Sequence, residues 1–170
     1  MGESTRRRGR VTVIGCGPGG MATALSAHQA GHEVALLERY PEARPAGNIL
    51  NLWPPPIKAL GLLGVDVDDL GAPCQAAFRR ADGRVRARVN LPAEVVRDYG
   101  GGFIGMLRPQ LYRRLQDALP AGVLRPDHEV TRIEQDDSAV YVHLADGSVH
   151  ETDVLVGADG IDSITRRTLW

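Results

Sequence analysis

The residues with the clearest chemical potential are Gly15-Cys16-Gly17-Pro18-Gly19-Gly20. Gly15, Gly17 and Gly20 have the spacing G-x-G-x-x-G, which suits a backbone wrapped around a pyrophosphate. Gly15 permits a tight turn, Gly17 lets the main chain approach the ligand, and Gly20 lets a helix pack close to a strand. A helix opening here presents free N–H groups and a positive dipole end to phosphate oxygens. Glu38 follows Gly20 by 18 residues, against about 20 in dinucleotide-binding folds, and can accept hydrogen bonds from ribose hydroxyls. Its charge disfavours a 2′-phosphate at the same place. The spacing alone admits FAD or NAD. Cys16 occupies a freely variable position of the motif. A thiol at a helix N-terminus can have a lowered pKa, yet an inert small residue is the expectation. His28, His32, His128, His143 and His150 show no metal-ligand spacing and read as surface or sheet residues. No metal is expected, and no residue stands out as a general base or nucleophile.

These residues need particular elements around them. Arg10–Gly15 reads as a short buried strand, a helix follows the glycines and stops near Gly31, and Glu33–Leu37 reads as a second strand. Residues 39–51 read as loop, with Pro41, Pro45 and Gly47. Ile57–Leu63 reads as a short helix after three prolines, and Asp82-Gly83 signals a hairpin within Phe78–Val89. Phe103–Leu107 reads as a strand, and Leu111–Leu119 as a helix opened by Arg108-Pro109-Gln110. His128–Gln135, Ala139–Leu144 and Ser148–Glu151 read as an antiparallel meander turning at Asp146-Gly147. Asp153–Ala158 reads as an apolar strand returning beside the first, so that Asp159-Gly160 falls near the carboxyl ends of the parallel strands, where open sheets bind ligands. A final helix begins within Ile161–Leu169. The fold class expected is α/β, a Rossmann-like FAD/NAD(P)-binding fold with a parallel sheet and an antiparallel meander.

Composition agrees with one soluble domain. The chain has 170 residues, 43% hydrophobic and 24% charged, with 20 Lys+Arg against 21 Asp+Glu and a net charge of −1. That balance argues against a nucleic-acid partner. Cys16 and Cys74, the two cysteines, lie too far apart for a disulfide framework, which favours a reducing cytoplasmic setting. No run approaches the roughly 20 apolar residues that cross a bilayer. The basic stretch Arg6–Arg8 precedes an apolar run too short for a secretion signal. Residues 1–9 are expected to be a disordered lead and 10–170 a dinucleotide-binding domain.

Four segments, in this order, resemble the FAD-dependent aromatic monooxygenases of the para-hydroxybenzoate hydroxylase type. They are the glycine turn with Leu37-Glu38-Arg39, the stretch Arg44-Pro45-Ala46-Gly47 with Leu52-Trp53-Pro54, the helix start Leu107-Arg108-Pro109-Gln110-Leu111, and Gly157-Ala158-Asp159-Gly160-Ile161-Asp162-Ser163 with Arg166. The resemblance implies that FAD is the cofactor, with NAD(P)H as co-substrate, dioxygen as oxidant and a small aromatic molecule as substrate. It implies that Gly15, Gly17 and Gly20 line the pyrophosphate and Glu38 holds the adenosine ribose. It places Arg39 and Arg44 on the adenosine side, Gly47 in a loop beside the flavin, and Arg108 on phosphate or ribityl oxygens. Asp159 and Gly160 would hold the cofactor region through a hydrogen-bond network. Pro55 stands where many relatives carry Asn, and the family's second flavin motif, Gly-Asp-Ala, does not occur. The expectation is therefore an N-terminal portion, C-terminally truncated, with part of a substrate-side sheet over 74–107 and an edge that favours self-association. A flavin-dependent reductase or halogenase and a non-catalytic fragment are the alternatives.

Overall fold

The computed structural model describes residues 8–42 and 47–170. In chain order, β1 (Arg10–Ile14) leads into α1 (Pro18–Gln29), β2 (Glu33–Leu37), β3 (Ile49–Leu52) and α2 (Pro54–Leu62). Then come β4 (Ala72–Pro73), β5 (Ala76–Arg79), β6 (Val85–Val89), α3 (Ala93–Asp98), β7 (Ile104–Leu107) and α4 (Arg108–Ala118). The chain continues through β8 (Leu124–Arg125), β9 (Val130–Gln135), β10 (Val140–Leu144), β11 (Val149–Thr152), β12 (Val154–Gly157) and α5 (Ile164–Leu169). Two compact units result, one of residues 1–44 with 118–170 and one of residues 45–117.

The first unit is built on a parallel sheet of order β12-β1-β2-β8. The returning strand lies beside the first, as the sequence predicts: Val11 pairs with Val154 and Ile14 with Gly157. Alternation along the strands divides the sheet into two apolar faces. On one face Val13 and Leu36 are wholly buried, as are Met21 and Ala24 of α1. On the other, Ile14, Ala35 and Leu37 form a cluster with Val142 and Leu144 of the meander, joined by Val130, Ile133, Val140 and Leu155. The meander itself is the sheet β11-β10-β9. Both faces being covered explains why β2 is apolar from Val34 to Leu37 and β1 is apolar apart from Arg10 and buried Thr12, rather than alternating.

The second unit holds an antiparallel sheet β3-β7-β4 and a separate hairpin β5-β6. Its interior includes Leu60, Val65, Leu70, Met106, Leu111 and Leu115. Trp53 and Phe103 meet edge to face with ring centroids 5.2 Å apart. Arg114 clamps the acidic turn by donating to the Asp66 carbonyl at 3.0 Å and to the Asp68 carbonyl.

Three readings need correction. Part of the stretch expected as loop is β3, which pairs with β7 from Ile49↔Leu107 to Leu52↔Ile104. The pairing partner lies far along the chain, so the local proline and glycine content outweighs it in any sequence reading. Ala93–Asp98 is a helix that the sequence reading did not anticipate, and none of its residues is buried. Helices α1 and α2 also start earlier than expected, each with proline in its first turn. Proline lacks only an N–H that no carbonyl of the first turn needs, and its fixed φ suits the helix.

Core burial sets the stability expectation. Leu36→Ala should cost about 2–5 kcal/mol by lost transfer energy and a residual cavity. Val149→Ala, at a position 52% exposed, should stay within about 0.5 kcal/mol. Urea unfolding of the two variants checks the contrast.

Candidate functional site

The parallel order β12-β1-β2 brings three chain turns to one end of the sheet. The turn after β1 starts at Gly15, whose N–H donates to the Leu37 carbonyl at 2.8 Å. The turn after β12 starts at Ala158, whose N–H donates to the Ile14 carbonyl at 2.8 Å. These bonds extend the sheet ladders one step beyond the strands and lock the turns against each other. Gly15 has φ +100, and a Cβ there would lie 2.5 Å from the Ala158 carbonyl oxygen. A Cβ on Gly20 would lie 1.9 Å from the Gly15 carbonyl oxygen. Both glycines are therefore required by contact.

Gly17 is the N-cap of α1, in extended conformation, and no side chain caps that helix. Its first turn carries Pro18 and no acidic residue. An uncapped helix start with a backbone-lined cradle beside it fits a diphosphate, whose oxygens accept from main-chain N–H groups. Cys16 is 4% exposed. Burial, with the nearby Glu38 charge, pushes its thiol up to about 11. The lowered pKa that a helix start can confer does not materialise here, because desolvation and a like charge oppose the thiolate.

Glu38 follows β2 directly. Its Oε2 accepts from the Cys16 N–H at 3.0 Å and its Oε1 from the Tyr40 N–H at 3.0 Å. The carboxylate is thereby fixed at the mouth of the glycine turn, with lone pairs left over for hydroxyl donors. Arg39 is exposed, and the neighbouring Tyr40 ring lies 4.8 Å from its guanidinium carbon.

Asp159 sits in a donor-rich pocket of its own chain. Oδ1 accepts from Ser163 Oγ at 2.6 Å, while Oδ2 accepts from the Thr165 N–H at 3.1 Å and from its hydroxyl at 3.2 Å. Partial burial works against the charged form, but the Ser163 hydroxyl and backbone N–H groups outweigh it and hold the carboxyl below its ordinary range. Asp159 supports the start of the last helix without being its N-cap. Ser163 is the N-cap, accepting from the Arg166 N–H at 2.9 Å, and Asp159 buttresses it. Gly160, with φ +80, turns the chain away behind it. A pocket of about 440 Å³ lies on this side of the unit, lined by Gly157, Asp159, Gly160, Ser163 and Arg166 among others.

Gly47 and Arg108 belong to the second unit, where they meet. A Cβ on Gly47, which has φ +110, would lie 2.5 Å from Arg108 Cδ. Arg108 donates its backbone N–H to the Asn48 carbonyl at 3.0 Å. Its guanidinium lies over the Tyr112 ring, 5.2 Å from the centroid, and donates to Tyr112 Oη at 3.0 Å. The guanidinium is thus held on α4 by its i+4 neighbour. Arg44 lies outside the described residues. The structure therefore groups Gly15, Gly17, Gly20, Glu38, Asp159 and Gly160 in one unit, and Gly47 with Arg108 in the other.

Sequence reading missed how Ser163 and Thr165 satisfy both oxygens of Asp159; their four- and six-residue offsets within a turn leading into a helix are the only local signal. Among the described residues, no group of three or more His, Cys, Asp or Glu could hold a metal ion, and no helix is long and apolar enough to cross a membrane.

Two outcomes follow from these environments. With its pKa raised by burial and by Glu38, and its thiol shielded, Cys16 should react with an aromatic disulfide reagent only on unfolding, whereas half-buried Cys74 should be modified first. The Asp159 carboxylate has a depressed folded pKa, so it stabilises the fold above its unfolded value near 3.9 and ceases to do so as pH falls through the folded value. The stability gap between the parent and Asp159→Asn should be widest near pH 6–7 and close in acid, as thermal melts across pH will show.

The geometry agrees with comparisons to known proteins. The FAD binding domain family matches residues 8–170. The 6-hydroxynicotinate 3-monooxygenase of Bordetella bronchiseptica is 34% identical over 165 residues, covering 94% of this chain and 43% of the relative. The 3-amino-4-hydroxybenzoate 2-monooxygenase PtnB3 of Streptomyces platensis is 34% identical over 177 residues, covering 99% of this chain and 44% of the relative. The crystal structure of Klebsiella pneumoniae HpxO complexed with FAD and uric acid superposes with a TM-score of 0.78 at 28% identity, covering 94% of this chain and 41% of that one. The chain thus spans under half the length of the relatives it matches. With its glycine turn, the acid that follows β2 and its returning Asp-Gly strand in the arrangement described above, the chain belongs to the FAD binding domain family.

Proposed function

We propose that this chain forms the flavin-holding part of a monooxygenase that takes electrons from NAD(P)H and oxygen from O2 to hydroxylate a small, electron-rich aromatic substrate. The observation that supports this most is the contact of two turns at the sheet end. Gly15 and Ala158-Asp159 touch through backbone, with a Cβ on Gly15 only 2.9 Å from Asp159 Cα. Such contact unites the dinucleotide turn with the Asp-Gly turn in one wall. Two relatives that align over nearly the whole chain are named as monooxygenases of 6-hydroxynicotinate and of 3-amino-4-hydroxybenzoate.

In this reading each residue has a bounded task. Gly15, Gly17 and Gly20 keep side chains away from the pyrophosphate, and the start of α1 supplies N–H donors to it. Glu38 accepts from the adenosine ribose, its orientation set in advance by the Cys16 and Tyr40 N–H groups. Arg39 and Arg44 serve the adenosine side. Arg108, held by Tyr112, offers a planar donor fork to a phosphate or ribityl oxygen. Asp159 fixes the turn whose backbone faces the cofactor. FAD supplies the redox chemistry when bound, and the protein's part is to bind, orient and exclude water. Residues 10–170 act as the FAD-binding domain, in a cytoplasmic setting, and self-association through the sheet edge remains part of the proposal.

The deciding experiment is the visible spectrum of the purified chain, with the released cofactor identified. FAD at close to one per chain supports the reading; a folded, colourless chain that takes up no added FAD overturns it. Gly20→Ala should abolish uptake, because the new Cβ meets the Gly15 carbonyl. Arg108→Ala should weaken FAD binding by about 10- to 100-fold, the range for a lost hydrogen bond to a charged group. Flavin fluorescence titration measures both.

A further inference from the structure

His150 lies on β11, on the face that the meander turns toward the parallel sheet. Its Nε2 lies 2.9 Å from Thr12 Oγ1, and Thr12 on β1 is 1% exposed. Its Nδ1 lies 3.5 Å from Arg125 Nη1 on β8. A guanidinium only donates, so Nδ1 must be the bare acceptor and the proton must sit on Nε2, where it donates to Thr12. One neutral imidazole therefore bridges three strands, two from the parallel sheet and one from the meander. A protonated ring carries N–H on both sides, and its Nδ1–H would then point at the Arg125 guanidinium.

We propose that His150 is a pH-gated latch between the meander and the parallel sheet, closed when the imidazole is neutral and opened by its protonation. The charged groups around it favour that outcome on balance. Arg125 on β8, Arg10 on β1 and His128 before β9 all oppose a further positive charge, and Glu33 on β2 alone among the named influences favours it. Arg10 is neutralised in place by Glu151 at 3.0 Å and Asp153 at 2.7 Å, which leaves Arg125 as the dominant repulsive neighbour. Burial is the largest influence and acts in the same direction as these charges, and together they lower the His150 pKa from its ordinary value. A histidine with a depressed folded pKa stabilises the fold above about pH 6.5, its unfolded value, and withdraws that support as pH falls through the folded value. The remaining apolar contacts between the layers, such as Ile14 and Leu37 with Val142 and Leu144, do not titrate. Opening is thus a loosening of one seam, and its effect should fall on β11 and β1 first.

The test uses the 170-residue chain. NMR titration of the histidine Cε1 protons should show the His150 resonance, assigned by its loss in His150→Gln, titrating below 6.5. Thermal melts from pH 7.5 to 5 should show a falling midpoint in the parent. In His150→Gln, which retains an N–H for Thr12 and does not titrate, that part of the fall should vanish, although His28, His32, His128 and His143 remain. Arg125→Met should move the His150 titration upward toward the ordinary value. Equal acid loss in the parent and His150→Gln overturns the proposal, as does a His150 titration at or above 6.5. If His150→Gln does not fold, the His150 resonance is assigned by its proximity to Thr12, and an unmoved titration in Arg125→Met overturns the proposal equally.

Discussion

Main-chain contact between the turn after β1 and the turn after β12 is the constraint on which the first unit depends. The contact needs glycine at residue 15 for its positive φ and at residue 20 for the space beside the Gly15 carbonyl. It also needs β12 to return parallel to β1 in a register that sets Ile14 against Gly157. Gly157 has its own reason to lack a side chain, since a Cβ there would lie 2.6 Å from Thr165 Cβ. The first and last elements of the chain are therefore fitted at three glycines. α1 then packs on one sheet face and the meander on the other because both faces are apolar.

Polar groups are distributed to match. At the carboxyl end of the sheet, Glu38 and Asp159 each accept main-chain N–H groups, and Asp159 accepts two hydroxyls as well. Arg10 joins Glu151 and Asp153 in an exposed network near the amino end of β1. Exposed ion pairs of that kind add little stability. Thr152, wholly buried, shares its single hydroxyl proton between the Arg10 and Val154 carbonyls at the bend between β11 and β12. Among the described residues no buried side-chain polar atom lacks a partner, so no polar side chain is left unpaired where the two layers close.

Much of this was legible in the sequence, for identifiable reasons. The glycine turn, α1 and β2 are local and agree with one another, and the return of β12 follows from an apolar run ending in Asp-Gly. The meander announces itself through Asp146-Gly147. What stayed hidden depends on distant partners. β3 is made a strand by β7, more than fifty residues later. Cys16 has its thiol shifted upward by burial and by Glu38, whereas the motif position alone suggests the opposite. His150 reads as one polar residue in an alternating strand, and nothing nearby in sequence reveals Thr12 or Arg125. Motif reading finds the backbone geometry and misses the electrostatics, because charges interact across the fold.

The saturation of Asp159 by Ser163 and Thr165 has a consequence for how such a site tolerates change. Both carboxylate oxygens already engage the chain's own donors, and Gly15, Gly17 and Gly20 present no side chains at all. What this wall offers a ligand is largely the course of the main chain. Side chains on its outer surface are then free to drift so long as that course is kept. A single-residue insertion or deletion between Ile14 and Met21, or between Gly157 and Ser163, would shift every donor and acceptor at once. Under the proposed function, the site is encoded in spacing more than in residue identity, and loop length is where flavin binding is most vulnerable.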